Sequence, residues 1–225
     1  MTSTPADGSA RRRRQTLPNR CPYLIHGIDR VRRPDFNTDM ALELTRRRFS
    51  VDDYYRMAET GILKPGERVE LIDGDVVEMT PSGGPHARCV MYLNEVFVRR
   101  LEGRAVVSPQ ISLRLGRWSV PEPDIALLRP PLARYGKAIP TSADALLVVE
   151  VADTSQYRDR VVKLPRYAAA GIPETWIVDL EAGAVEVYRE PSSEGYQQQR
   201  RYERGADVAP AAFPDVVLDV ADILG

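Results

Sequence analysis

The sequence predicts an α/β domain in which a central mixed β-sheet is flanked by helices and preceded by an N-terminal helix and β-hairpin. Three observations predict this class. Helical and strand patterns alternate along the chain. The runs Asp124–Leu128 and Leu146–Val151 are short and apolar, as is typical of central strands covered on both faces. The 225 residues are enough for one domain with its own core.

Capping and turn residues mark the N-terminal elements. Ser50 to Asp53 has a capping-box pattern, which predicts a helix that runs to Glu59 and stops at Gly61. Two β-rich arms within Val69–Met79 flank Asp73-Gly74, a pair typical of a tight hairpin turn with positive φ. We therefore expect a helix followed by a hairpin.

Apolar periodicity predicts the elements that follow. Apolar residues spaced three or four apart indicate a core-facing helix over His86–Leu101, and alternation indicates a strand over Ala105–Leu115. A helix is predicted over Tyr157–Ala170, with a kink at Pro165. Further strands are expected at Glu174–Asp179, Ala184–Arg189 and Tyr196–Tyr202.

Composition excludes several classes of protein. No apolar run reaches the roughly 18 residues that a membrane span needs, and the N-terminus lacks the apolar segment of a secretory signal. Two cysteines, Cys21 and Cys89, are too few for a disulfide scaffold or a zinc cluster. We therefore expect no membrane contact and a cytoplasmic location.

Charge is divided unevenly along the chain. Residues 1–48 carry eleven arginines against five acidic residues, a net charge of +6, so residues 49–225 carry −7 of the total of −1. We predict that residues 1–48 form a basic, disordered arm and that residues 49–225 form the folded domain. The arm either binds nucleic-acid phosphates or is a solvated tail, whereas the acidic domain is a poor surface for polyanions.

Two carboxylates stand at the ends of predicted buried strands. Asp124 opens one apolar strand and Glu150 ends another, and a carboxylate in such a place is costly unless it is paired or bound to a metal ion. If the two strands are neighbours, both side chains meet at one end of the sheet. Their hard oxygen donors suit Mg²⁺ or Mn²⁺, which can activate water and stabilise charge on a phosphate.

Lysine is scarce, and one of the three lysines follows these carboxylates. Lys163 lies on the helix predicted after Glu150, less than two turns from its start. Its ammonium could orient the attacking water or stabilise charge in the transition state. The alternative is a structural salt bridge with Asp159, four residues earlier.

Two more residues are weaker candidates. Glu70, in the first arm of the hairpin, is either a second metal contact or a cross-strand partner for a basic side chain. His86 stands at a helix N-terminus, where it either binds a phosphate or moves a proton, or only caps the helix. Four other side chains are interpreted as structural: Asp159 as a helix-surface acid, Gln110 as a satisfied core amide, and Trp176 and Cys89 as core residues.

From about Phe49 to Gly225 the sequence resembles the Uma2 family, also called DUF820, of the PD-(D/E)XK nuclease superfamily. The segments that carry the resemblance are Arg68–Gly74, Pro85-His86, Pro121–Ala126, Glu150–Ser155, Asp159–Lys163, Tyr167, Gly171-Ile172 and Glu174–Asp179. They occur in this order over nearly four-fifths of the chain. The resemblance implies a restriction-endonuclease-like fold and metal-dependent cleavage of phosphodiester bonds.

The resemblance also implies roles for individual residues. Asp124 matches the motif aspartate and Glu150 the acidic member of the (D/E)XK element, while Glu70 resembles the accessory acidic residue. Ala152 stands where the superfamily usually has lysine, and Lys163 from the following helix matches the lysine that the family supplies instead. The metal would be held by Asp124 and Glu150, with help from the backbone carbonyl of Val151.

The resulting hypothesis is a divalent-metal-dependent endonuclease that uses Mg²⁺ or Mn²⁺ and acts on nucleic acid, with DNA favoured over RNA. A homodimer would let two sites cut two strands. The alternative is a catalytically silent nuclease-like domain that binds nucleic acid or a protein. The intact carboxylates and lysine favour the enzyme, and the acidic domain favours the alternative.

Overall fold

A mixed sheet of six strands is the centre of the part of the chain that the computed structural model describes, residues 46–81, 83–153 and 158–225. The strand order is β3-β4-β5-β6-β7-β8; β5 and β6 are parallel and the other neighbours are antiparallel. The strands are β3 (Val106–Pro109), β4 (Ile125–Leu128), β5 (Ala145–Ala152), β6 (Glu174–Asp179), β7 (Ala184–Ser192) and β8 (Gly195–Glu203). The predicted mixed sheet is therefore confirmed.

Helices and two small strand pairs surround this sheet. The helices are α1 (Val51–Glu59), α2 (Gly84–Leu101), α3 (Leu164–Ala169) and α4 (Val220–Leu224), with 3₁₀ turns at Leu132–Tyr135 and Ser142–Asp144. The small pairs are β1 (Val69–Ile72) with β2 (Asp75–Glu78), and β9 (Asp207–Val208) with β10 (Leu218–Asp219). None of the described helices has the length and apolarity needed to cross a bilayer.

Apart from Arg46–Arg48, the basic arm predicted for residues 1–48 lies outside the described residues. The helix that follows it begins as its sequence predicts. The Ser50 hydroxyl accepts a hydrogen bond from the Asp53 backbone N–H, and the Asp53 carboxylate accepts one from the Ser50 N–H. This capping box satisfies two backbone donors that the first turn of a helix leaves unpaired.

The hairpin also follows its sequence signal. Asp73 and Gly74 have φ of 52° and 88°, the left-handed geometry of a type I′ turn. Two hydrogen bonds join the turn to a neighbouring loop. The Asp73 N–H donates to the Ser119 hydroxyl, and the Gly74 N–H donates to the Trp118 carbonyl. Arg48 packs against the same turn, so the chain approaches Gly74 very closely.

Substitution of Gly74 by Ala is expected to lower the free energy of unfolding by about 2 kcal/mol or more, because φ is unfavourable and there is no room for a side chain. A Cβ at this position would lie 2.6 Å from the Arg48 Cβ. Gly205→Ala is the matched control, since Gly205 has φ of 89° but no atom within 4 Å of such a Cβ. Urea unfolding measures both variants, and equal losses would contradict the importance of the close approach.

The core lies on both faces of the sheet. On one face, α2 packs its apolar stripe against the sheet, and Phe97 contacts Trp176 with ring centroids 6.3 Å apart. On the other face, Tyr167 of α3 packs with Val148 and Ile172. Trp176 and Cys89 are fully buried, which confirms their interpretation as core residues. Burial also raises the pKa of the Cys89 thiol to about 12, so this thiol stays protonated.

Two predicted elements differ from the structure. The strand predicted to reach Leu115 ends at Pro109, because Gln110 turns the backbone with φ of 49°. The side chain of Gln110 is exposed, so its interpretation as a core amide is wrong. The helix predicted over Tyr157–Ala170 is π-helical at Arg158–Lys163 before α3 begins. Pro165 has no N–H to donate to the backbone carbonyl four residues earlier. The missing α-helical hydrogen bond explains the wider π-helical turn before it.

Candidate active site

The register of β4 and β5 brings the two predicted carboxylates to one end of the sheet. Ile125 pairs with Val149 in this antiparallel ladder, so Asp124 and Glu150 come next and stand opposite each other. The Asp124 Oδ2 atom accepts a hydrogen bond of 2.8 Å from the Val151 N–H. The N–H and C=O of one strand residue point to the same side, so the Val151 carbonyl faces the same edge, beyond the last ladder pair.

Two other polar side chains contact Asp124. The His86 Nε2 atom lies 3.1 Å from Oδ2, and the Gln110 amide donates to Oδ1 at 3.4 Å. The Asp124 side chain is 13% exposed, so it remains accessible from one side. Asp124 is therefore fixed by the backbone of β5 and by α2, while Oδ1 has only one long hydrogen bond.

His86 is placed by the first turn of α2, where Gly84-Pro85 opens the helix. The imidazole is buried, and its Nδ1 atom has no hydrogen-bond partner among the described residues. The hydrogen bond to Asp124 raises the pKa of His86, although burial opposes the charged form. The structure therefore brings His86 to the carboxylates rather than leaving it only as a helix cap.

Glu150 is almost completely enclosed, with 2% of its surface exposed. The Tyr167 hydroxyl donates to Oε1 at 2.5 Å, and the Lys163 ammonium lies 3.2 Å from the same oxygen. Burial raises the pKa of Glu150 well above its usual range, because the ammonium and the Tyr167 hydrogen bond only partly offset the loss of water. The charged form of Glu150 therefore depends on its neighbours.

Lys163 connects two carboxylates. Its Nζ atom lies 3.2 Å from Glu150 and 3.4 Å from Glu70, at 5% exposure. Burial disfavours the ammonium, but the negative charges of Glu150 and Glu70 outweigh that effect and raise the pKa of Lys163. Asp159 adds to the same negative field. The ammonium is thus shared among acidic groups at the site.

Glu70 lies on β1 and enters the site from the hairpin. Its register partner on β2 is Val77, and its carboxylate contacts Lys163 and the Glu122 backbone N–H, at 3.4 and 3.3 Å. The interpretation as a cross-strand partner of a basic side chain is therefore wrong, because the cation that contacts Glu70 lies on a helical segment and not on a strand. The second oxygen, Oε1, is buried and has no hydrogen-bond partner among the described residues.

These side chains surround a narrow cavity of about 50 Å³. A water molecule takes about 30 Å³ in the liquid, so the cavity holds one or two waters or a small cation, and not a nucleotide. Carboxylates outnumber cations among its described lining residues. The acidic members are Glu70, Glu122, Asp124, Glu150 and Asp159, and the basic ones are Arg68, Arg158 and Lys163.

The donor set fits a hard divalent cation. No group of three or more His, Cys, Asp or Glu side chains in the described ranges is arranged as a cage for a metal ion. Mg²⁺ does not need one, because it is usually held by one or two carboxylates and keeps several waters. The excess of carboxylates and the unpartnered Glu70 Oε1 atom are what a cation would balance.

Three residues of the site were not recognised as candidates from the sequence. The interpretation of Asp159 as a helix-surface acid is wrong, because its side chain is buried at 3% exposure. Tyr167 lies four residues after Lys163, a spacing that places two side chains on one helix face and could have identified it. Glu122 is half-buried, and burial raises its pKa.

Comparison with known families decides the classification. The profile of the Uma2 family, described as "putative restriction endonuclease", matches residues 51–221. The chain belongs to the Uma2 family. The resemblance carried by Arg68–Gly74, Pro121–Ala126 and the later segments is thereby confirmed. No curated protein matches this chain.

One solved structure supports the fold. The chain is similar to a "putative nuclease belonging to DUF820" from Anabaena variabilis, with 17% sequence identity and a TM-score of 0.63 over 78% of this chain and 97% of that one. It also matches part of the type IIG restriction endonuclease BpuSI, with 19% identity and a TM-score of 0.35 over 57% of this chain and 15% of that one. The first likeness confirms the Uma2-type fold and assigns no role to any residue.

Proposed function

We propose that this Uma2-family protein is a divalent-metal-dependent endonuclease that hydrolyses phosphodiester bonds of DNA. The observation that carries the proposal is the meeting of Asp124, Glu150 and Lys163 at one cavity that has room for a small cation. These side chains come from three different elements, and each is fixed by hydrogen bonds or ion pairs. The description of the family as "putative restriction endonuclease" supports the same reaction class.

Asp124, Glu150 and the backbone carbonyl of Val151 would hold Mg²⁺ or Mn²⁺. Such a cation, when bound, acidifies a water molecule and neutralises charge on the phosphate. The role of Lys163 is to keep Glu150 ionised in a buried place where the carboxylate alone would take up a proton. Its ammonium would also add positive charge to the site, which favours a negatively charged transition state.

His86 and Glu70 complete the proposed site from its two sides. His86 holds a proton at Nε2 against Asp124, which orients that carboxylate and leaves Oδ1 less constrained. Glu70 shares the ammonium of Lys163 and has an oxygen available for a second contact. The cavity is too small for a nucleotide, so the phosphodiester must approach from its mouth. The cytoplasmic location and the homodimer stay predictions of the sequence.

Cleavage of closed circular plasmid DNA tests this proposal. We expect nicked and linear products with Mg²⁺ or Mn²⁺, and none in excess EDTA. Glu150→Gln should reduce the rate about 100-fold or more, because a preorganised charge at the reacting centre is lost. The control is Glu95→Gln, which removes an exposed carboxylate on α2 and should leave the rate unchanged.

Equal activity of wild type and Glu150→Gln would show that the nuclease is a contaminant and would overturn the assignment. Absence of cleavage in every metal, with DNA binding retained, would instead support the silent binding domain. The enclosed Glu150–Lys163–Tyr167 contacts give that alternative some support, because their polar groups already satisfy one another.

A further inference from the structure

A second cluster of charged side chains lies outside the carboxylate cavity. Arg48, Arg117, Trp118 and Arg166 line a separate hollow of about 210 Å³. We call these four residues the arginine patch. The guanidinium of Arg48 lies 5.0 Å from the centre of the Trp118 ring, and that of Arg117 lies 4.7 Å from it.

Within the described ranges, two of these arginines have no acidic partner. Among the described residues, Arg48 donates to the backbone carbonyl of Asp73, and the guanidinium of Arg117 lies against the Trp118 ring. Arg166 does pair with the Asp73 carboxylate. The patch therefore has unpaired positive charge held in place by an aromatic ring, on a domain whose sequence is acidic overall.

The patch lies close to the candidate active site along two elements. Arg166 follows Lys163 by three residues, about 4.5 Å of helix rise. Asp73, which contacts Arg48 and Arg166 of the patch, follows Glu70 by three residues of the hairpin, about 10 Å of strand. Adjacent nucleotides of one duplex strand are about 3.4 Å apart along the axis. The arginine patch and the carboxylate cavity are therefore separated by the length of a few nucleotides.

The sequence adds more positive charge at the same point. Arg46 and Arg47 are exposed and directly precede Arg48. The arginine-rich residues 1–48 therefore end at the patch in the sequence. Guanidinium groups bind phosphate oxygens well because their N–H donors match that geometry.

We propose that the arginine patch binds the phosphate backbone of the nucleic acid that the carboxylate site cleaves. The inference rests on the proposed function, because it takes nucleic acid as the substrate. The arginine patch also explains how an acidic domain binds a polyanion, because positive charge is concentrated at one place near the cavity. Asp73 limits the affinity by neutralising Arg166.

DNA binding in EDTA, followed by fluorescence anisotropy of a labelled duplex, tests the proposal with the full chain. Arg48→Gln/Arg117→Gln should raise Kd about tenfold and reduce the slope of log K against log salt by about 1.8, for two lost phosphate contacts. Arg99→Gln/Arg200→Gln is the matched control, because both residues are exposed and lie outside the patch. It should change Kd less than twofold.

A gain-of-binding variant separates this proposal from simple misfolding. Asp73→Asn keeps the size of the side chain, and asparagine tolerates positive φ, so the turn should persist. Freed from its carboxylate, Arg166 should bind phosphate and lower Kd about threefold. A loss of binding in this variant, with an unchanged circular dichroism spectrum, would contradict the proposal.

The outcomes distinguish this proposal from the proposed function. If DNA binding depends on the patch but no metal ion supports cleavage, the result supports the phosphate-binding role of the patch and overturns the proposed nuclease activity. If cleavage depends on Glu150 but the patch variant and the control variant bind DNA equally well, the result overturns only the phosphate-binding role of the patch. Capture by phosphatidylserine vesicles without measurable DNA binding would assign the patch to membranes and overturn it as well.

Discussion

Lys163→Met should lower the free energy of unfolding by about 3–5 kcal/mol, the usual cost of removing one partner from a buried ion pair. The variant leaves Glu150 and Glu70 enclosed without the ammonium that lies 3.2 and 3.4 Å from them. Methionine fills similar space, so the loss reports charge more than packing. Urea unfolding at pH 7 measures it, and Lys137→Met, at an exposed lysine, is the control.

The loss of unfolding free energy in Lys163→Met should become larger as the pH rises. The pKa of Glu150 is already raised by burial, and removal of the ammonium raises it further. A carboxyl with a raised folded pKa binds more protons folded than unfolded, so stability falls as pH rises from about 4.3 to the folded pKa. We therefore expect a smaller deficit at pH 5 than at pH 8.

A double variant isolates the charge interaction. Lys163→Met/Glu150→Gln removes the buried carboxylate together with its cation, so it should be more stable than Lys163→Met alone. Two observations would count against a charge-based explanation: a double variant as unstable as the single one, or a deficit that does not change between pH 5 and pH 8. Either result would mean that packing of the lysine stem dominates.

Local rules account for the parts of the fold that were predicted correctly. The capping box at Ser50 and the turn at Asp73-Gly74 depend on a few adjacent residues, so sequence identifies them. The strands at Asp124 and Glu150 were predicted from apolar runs. Their convergence required neighbouring strands, which the antiparallel pairing of β4 with β5 supplies.

The errors arise where distant contacts decide the structure. Asp159 resembles a surface acid in its helical neighbourhood, but the site and its cations bury it. The strand expected to reach Leu115 is cut by the turn at Gln110, and no local pattern announces a positive φ at a glutamine. The contact of Lys163 with Glu70 spans 93 residues, and only the folded chain brings them together.

Asp124→Asn is expected to reduce metal-dependent cleavage about 100-fold or more while leaving the fold intact. The amide oxygen can still accept the hydrogen bond from the Val151 N–H, so stability should change by only about 1 kcal/mol. Loss of activity without loss of stability is the expected signature of a residue that holds the cation. A variant that unfolds would instead assign Asp124 a structural role.

The same substitution should change the titration of His86 in metal-free buffer. The hydrogen bond to Asp124 raises the pKa of His86, whereas burial lowers it, so Asp124→Asn should shift the pKa downward. The chain has two histidines, and His26→Gln leaves only the His86 signal for NMR titration.

The titration also fixes the pH dependence of stability. Because the folded pKa of His86 is raised, its contribution is fully present below about pH 6.5 and disappears as pH rises through the folded value. Asp124→Asn should therefore lose more stability, relative to wild type, at pH 6 than at pH 9. An unchanged His86 pKa would show that the two side chains do not interact in solution. Cleavage loss would then come from the carboxylate's own contact with the cation, without help from the histidine.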